Sequence, residues 1–319
     1  MKNNNIVKLK AIAILIVVLG HSIIIYDPNW GFYSSNYNIP FFIHLKHLIN
    51  LIQMPLYFGI SGYLFFYSKK NGFFQFFKNK FFRLIIPFLF VGLCYLLPIR
   101  LFVGFQNYIN HSILYNYFVN IILGNDNGHL WFLPTLLIIF IISFFIKRFS
   151  NKFNNKFFDI IIFIILFITS FFGSRNSTYF NLALTFIIYF ISGFYYNKYH
   201  DRISRYKYII YFISLILICI YMFYDYEYYI LTLTKILVTI SFLSFDFGKL
   251  FNSNIIKYIS NNSYGLYLFH SPLIYISFRF FPNINPIFML VINFIIYPII
   301  CFLILKIIRI LKLKFLIGE

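Results

Sequence analysis

Apolar runs long enough to cross a bilayer recur from one end of this chain to the other. They fall at 8–26, 41–67, 83–103, 129–147, 157–173, 179–196, 208–224, 229–247, 258–278 and 286–306. A helix needs about 20 apolar residues to span a ~30 Å hydrocarbon core. Lipid offers the backbone no hydrogen bonds, so runs of this kind fold as helices that satisfy their own. The expected fold is all-α: a polytopic membrane protein of about ten transmembrane helices, forming a single domain over 1–319. No segment outside the runs is long enough for a soluble domain. Of the 319 residues, 61% are hydrophobic and 11% charged, whereas soluble domains carry roughly half and a quarter.

Basic residues between the runs test the count, because short cytoplasmic loops of membrane proteins collect Lys and Arg. With the N-terminus inside, the clusters at 2–10, 69–83, 147–156, 198–207, 249–257 and 306–314 are all cytoplasmic and hold 22 of the 27. Only Lys46, Arg100, Arg175, Lys235 and Arg279 fall elsewhere. An even number of spans places both termini in the cytoplasm. The net charge of +19 is therefore read as orienting charge, and no nucleic-acid partner is expected. Phe and Tyr are abundant beside much Ile, Asn and Lys, which share A/T-rich codons, so no aromatic binding surface is inferred from their number. Cys94, Cys219 and Cys301 lie scattered in apolar runs without metal or disulfide spacing. Lys2, Lys8 and Lys10 before an apolar run resemble a signal peptide. No small-residue cleavage site follows in "IIIYDPNW", so an uncleaved first helix is expected. The connection at 104–128 contains "HSILYNYFVNIILGND", apolar in its middle but too short to cross, which fits an interfacial or re-entrant segment.

Polar groups inside the runs stand out against this background. His21 lies 11 residues beyond Lys10, ~16 Å along a helix and past the midplane toward the outside. His270 sits at similar depth beyond Lys257, and His129 opens the fourth run in "GHLWFLP", beside Trp131. Arg100 and Arg279 end the third and ninth runs on the outer side, where Lys46 with His44 and His47 begins the second. Ionisable groups in a membrane are costly, face the bundle interior and mark a site or pathway. Interfacial anchoring is the alternative for His44, His47, the two arginines and His129 with Trp131. For His21 and His270 it is a hydrogen bond within the bundle. Pro272 removes the helix bond to the Leu268 carbonyl and bends the chain beside His270. Pro55 interrupts the second run before "LYFGISGYLFF", where Gly59, Ser61 and Gly62 suit close helix packing or a site lining equally.

Five of these stretches, in order, resemble the acyltransferase-3 group of bacterial integral-membrane acyltransferases, especially short members that O-acetylate surface sugars. "LKAIAILIVVLGHS" is similar to its opening helix, which ends in a His. "QMPLYFGISGYLFF" resembles its second-helix motif and "KFFRLIIPFLF" the basic entry to its third. "GHLWFLPTLLIIF" is similar to its His-Leu-Trp-Phe-Leu segment, and "NNSYGLYLFHSPLI" to its late His-bearing helix. The resemblance implies about ten helices, acetyl-CoA or another acyl-CoA as donor, hydroxyls of cell-envelope glycans as acceptor, and the bacterial inner (plasma) membrane as location. Carried over by position, His21 is the essential first-helix His, Lys80 and Arg83 are the paired basic residues that begin the third helix, and Ser61 with Gly62 is the second-helix motif. Three departures stand out: Val7 and Lys10 where the family often has Asp and Arg, Lys80 for one of two paired arginines, and Gln53 where sugar-acetylating relatives often have His.

Transfer of an acetyl group from a thioester to a hydroxyl needs a base for the hydroxyl proton, donors for the developing oxyanion, and alignment of both substrates. A neutral imidazole accepts a proton near pH 7. His21 is then the general base or a transient acyl carrier, with His270 and His129 donating to the oxyanion or orienting the sugar. Lys80 and Arg83 at the inner mouth suit the phosphates of CoA. Arg100 and Arg279 on the outer side suit an anionic lipid-linked or polymeric glycan, with Ser61 and Trp131 as further substrate contacts. No metal is expected. The rival is a polysaccharide or small-solute transporter or export component without covalent chemistry. Two features oppose it: no repeat relates two halves, and the eight acidic residues sit almost entirely in loops or at span ends, whereas coupled carriers need carboxylates in their path.

Overall fold

Apolar sequence becomes helix throughout: every regular element among the described residues is helical. The computed structural model describes residues 2–68, 72–173, 178–224 and 227–319. Lys69, Lys70, Arg175 and Asp225 lie outside these. The principal helices are α1 (Lys2–Ser22), α2 (Pro40–Phe66), α3 (Phe73–Phe102), α4 (Ile113–Ile122), α5 (Gly128–Phe153), α6 (Lys156–Gly173), α7 (Tyr179–Lys198), α8 (His200–Tyr221), α9 (Tyr228–Ser244), α10 (Ser263–Phe280) and α11 (Pro286–Ile310). Among the described residues, eight helices are long and apolar enough to cross a membrane: α1, α2, α3, α5, α6, α7, α8 and α11. The two remaining expected spans are helical as well. α9 is apolar but has only 17 residues. α10 begins later than expected, at Ser263, and carries His270, Ser271, Ser277 and Arg279 along with its proline. These polar groups lower its hydropathy, and most of the helix is buried.

Contacts divide the chain into two compact units, each assembled from three segments. The first comprises Met1–Lys10, Leu51–Lys80 and Pro134–Phe251. α7 is its most enclosed helix, with 61% of its apolar window buried, whereas α8 is 6% buried and presents an apolar surface suited to lipid. Gly59 and Gly62 of α2 meet α7 at backbone distance: a Cβ at Gly62 would collide with the Phe190 carbonyl, and one at Gly193 with that of Gly59. Helix packing thus accounts for these two glycines. Several cations of the basic clusters are bonded within this unit. Lys147 donates to the terminal α2 carbonyls of Phe65 and Phe66 at 3.0 and 2.8 Å, complementing the negative helix end. Lys198 pairs with buried Asp159 at 2.5 Å.

The second unit comprises Ala11–Asn50, Phe81–Leu133 and Asn252–Glu319. Its core joins Ile23, Ile25 and Tyr26 after α1 to Ile49 of α2, Ile274 and Phe278 of α10, and Met289 of α11. α4 lies in the connection read as interfacial. It exposes Ile113, Leu114 and Phe118 and buries Asn116 and Asn120. Asn116 donates to the carbonyls of Tyr108 and His111. Polar inside and apolar outside is the arrangement of an element facing lipid.

Candidate active site

Three imidazoles meet within the second unit, beside the proline of α10. Proline has no N–H, so Pro272 leaves the Leu268 carbonyl without its helical donor. That carbonyl receives His129 Nε2 at 3.0 Å. The clamp is reciprocal, because the Tyr267 hydroxyl donates to the His129 carbonyl. The neighbouring carbonyls of the same turn also take side-chain donors: Tyr95 Oη reaches Phe269 O at 3.0 Å, and His270 Nδ1 lies 2.9 Å from Leu266 O and 3.0 Å from Tyr267 O. A buried carbonyl left unpaired would carry a desolvation penalty of about 1–3 kcal/mol, so these contacts stabilise the turn and orient its rings.

His270 in turn reaches His21: Nε2 of the former lies 3.2 Å from Nδ1 of the latter, with ring centroids 5.0 Å apart and planes inclined at 29°. Hydrogen bonding assigns the protons. A carbonyl only accepts, so His270 Nδ1 carries a hydrogen. Neutral His270 then has a lone pair on Nε2, which accepts from Nδ1–H of His21. The remaining nitrogen of His21, Nε2, is left with its lone pair. His270 is fully buried, whereas His21 is only half-buried. The same logic places a hydrogen on His129 Nε2, and its Nδ1 is a buried acceptor with no hydrogen-bond partner. While neutral, neither His129 nor His270 has an N–H left for a substrate. Lys46 is 4% exposed and lies within electrostatic reach of His21.

Two further networks hold the ends of these elements. Arg100, 1% exposed, donates through Nη1 to the Asp126 carbonyl at 2.8 Å and to Oδ1 at 2.6 Å. Its guanidinium lies over Phe105 and Tyr108, 4.5 and 4.7 Å from the ring centroids, and Tyr108 Oη also donates to Asp126 O, at 2.5 Å. Asp126 stands three residues before His129. Between them Gly128 has φ +57°, and a Cβ there would come within 2.8 Å of Arg100 Nη2. Arg100 therefore holds the turn that presents His129. At the end of α1, Asn293 bridges Ser277 Oγ (2.6 Å) and the Ser22 carbonyl (3.5 Å). Asn293 sits in a π-helical segment of α11, Ile292–Ile296, a distortion frequent at functional sites.

Other expected residues are placed as follows. Arg279 is exposed at the end of α10, and Arg83 is exposed on α3, its carbonyl accepting from Tyr264 Oη at 2.9 Å. Lys80 and Ser61 belong to the first unit. There the Lys80 ammonium lies 3.8 Å from the Phe140 centroid, and Ser61 Oγ donates to the Tyr57 carbonyl of its own helix at 2.9 Å. Trp131 is half-buried in the turn Gly128–Trp131 that opens α5. Sequence reasoning gave no role to Tyr95, Tyr267, Asn293 or Asp126. For the two tyrosines no signal was available in a chain with 28. By position Lys46 reads only as a polar group at a span end; a lysine inside an apolar helix is itself the signal.

A family model described as an acyltransferase domain matches residues 4–308. No curated protein and no solved structure matches the chain.

Proposed function

The chain belongs to the acyltransferase-3 family of membrane enzymes that transfer acyl groups, and from that premise we propose that it moves an acetyl group from acetyl-CoA to a hydroxyl of a cell-envelope glycan. The observation that carries this reading is the His21–His270 pair, which leaves one imidazole nitrogen of a partly accessible ring as an acceptor. Nε2 of His21 takes the proton of the acceptor hydroxyl as its oxygen bonds to the thioester carbonyl carbon. The carbon–sulfur bond then breaks, and the departing thiolate takes that proton, giving an ester and free CoA. His270 acts as the positioning residue: its Nδ1–H on two backbone carbonyls keeps Nε2 available to accept from His21. In serine hydrolases a carboxylate performs this orienting task.

On the donor side, the exposed Arg83 suits a CoA phosphate, with Lys80 one helical turn before it on α3. The extent of the family match supports reading the chain as one acyltransferase domain, in the bacterial inner membrane, with the loop clusters of Lys and Arg cytoplasmic. Membership in a family of acyltransferases also favours this reading over a transporter.

The test is His21→Ala, reconstituted in lipid at the wild-type amount. Transfer should fall by roughly 10²–10⁴-fold, the usual contribution of a general base. Retained transfer would remove His21 from the chemistry. A burst of free CoA from wild-type protein given donor alone would instead make His21 an acyl carrier.

A further inference from the structure

From Ala11 to Leu45 the chain contains no Lys or Arg, although it has 27 elsewhere. This stretch includes the loop after α1, which the alternation of loop charge places on the outer side. The loop shapes an open cavity of about 420 Å³, lined by residues between Ile25 and Ile43 alone. That volume falls in the ~300–1,000 Å³ range of small-molecule sites. Its lining pairs aromatic rings (Tyr26, Phe32, Tyr33, Tyr37) with the amides of Asn36 and Asn38 and two serine hydroxyls, and Asp27 is its one charged residue.

The loop is anchored to the rest of its unit. The Asn36 N–H donates to Asn283 Oδ1 at 3.0 Å, and Tyr33 Oη to the Val103 carbonyl at 3.3 Å. Phe32 stacks on Phe105 at 4.8 Å between centroids, and Trp30 lies parallel to Tyr275 of α10 at 6.0 Å. Ile25 and Tyr26 line the cavity and also pack in the core with Ile274 and Phe278 of α10, the helix of His270. The cavity wall begins four residues past His21 in the chain.

We propose that this cavity seats the acceptor, and that it takes a neutral sugar unit. The proposal rests on the acyl-transfer reading above and names where and how its acceptor is held. A phosphate or carboxylate group would call for Lys or Arg in the wall, and an anionic lipid headgroup would call for a cluster of them. The lining itself has neither and carries an acid instead; Arg279 and Arg100 lie within electrostatic reach of Tyr33, and Lys46 of Asp27, outside the lining. A sugar presents C–H faces to aromatic rings and hydroxyls to amides and hydroxyls, the two kinds of surface found here.

The experiment uses the full-length protein in nanodiscs of zwitterionic lipid, with labelled acetyl-CoA. The acceptor probe is glycan extracted from envelopes of cells lacking the protein, separated into neutral and anionic fractions. Tyr37 and Asn38 are exposed and lie outside the anchoring contacts, so a Tyr37→Ala/Asn38→Ala variant should assemble. With the neutral fraction its KM should rise about tenfold while kcat stays within about twofold, the pattern of lost ground-state binding. An unchanged KM would overturn the proposal. So would acceptor activity confined to the anionic fraction and sensitive to Arg279→Gln. Should no fraction accept the label from wild-type protein, the acyl-transfer reading itself fails, and the acceptor seat with it.

Discussion

At the scale of single residues, the site is a problem of proton placement. An isolated imidazole interconverts between two tautomers. His21 is assigned one because His270 accepts at its Nδ1, and His270 is assigned its own because two carbonyls of α10 accept at its Nδ1. This order of dependence makes a prediction that distinguishes positioning from support. Replacing His270 with Ala should lower kcat by roughly 10²–10³-fold, within the range of a perturbed general base, and should shift the acid limb of the pH–rate profile. KM for the acceptor should change little. A variant that lost only stability would show a reduced active fraction with an unaltered profile. Arg100 illustrates a second point at this scale. From sequence it resembles an outer-surface anion site, yet its Nη1 is bonded to Asp126, a loop residue 26 positions away.

At the scale of elements, α10 carries an unusual burden. A proline inside a helix costs ~3 kcal/mol or more, and here it leaves a carbonyl that His129 fills. Pro272→Ala would return an N–H to that carbonyl and set the helix in competition with His129. Stability should therefore hold or rise, read as the thermal midpoint in nanodiscs, while transfer falls by at least about tenfold as His129 loses its anchor. A fall in both together would mean that the proline is structural only. The freed carbonyl is legible in the sequence because proline chemistry is local. The identity of the group that fills the carbonyl was not, since His129 lies 139 residues away. α2 teaches the converse: "GISG" was equally consistent with packing and with a site, and the approach of the Phe190 carbonyl to Gly62 identifies it as a packing surface.

At the scale of the whole molecule, the distribution of charge predicts which loops face which side. In a background where Cys94, Cys219 and Cys301 are replaced by Ser, a Ser34→Cys variant should react with an impermeant maleimide on intact cells. A Ser204→Cys variant should react only after the membrane is opened. Labelling of both on intact cells would invalidate the orientation and the outer placement of the acceptor loop. Several basic residues of these clusters also serve the fold. Lys147 and Lys198 belong to clusters counted as cytoplasmic, and both are bonded within the first unit, to the end of α2 and to Asp159.

What the sequence by itself determined is what depends on near neighbours: helical spans from apolar length, loops from charge, a freed carbonyl from proline, and a family from five ordered motifs. Lipid makes these rules strict, because a backbone in hydrocarbon has no partner but itself. Tertiary structure alone decided which polar groups meet. His21 and His270 are 249 residues apart, and no periodicity relates them. Their juxtaposition follows from how side chains of different helices fill one another's unsatisfied bonds, a property of packing that no local pattern encodes.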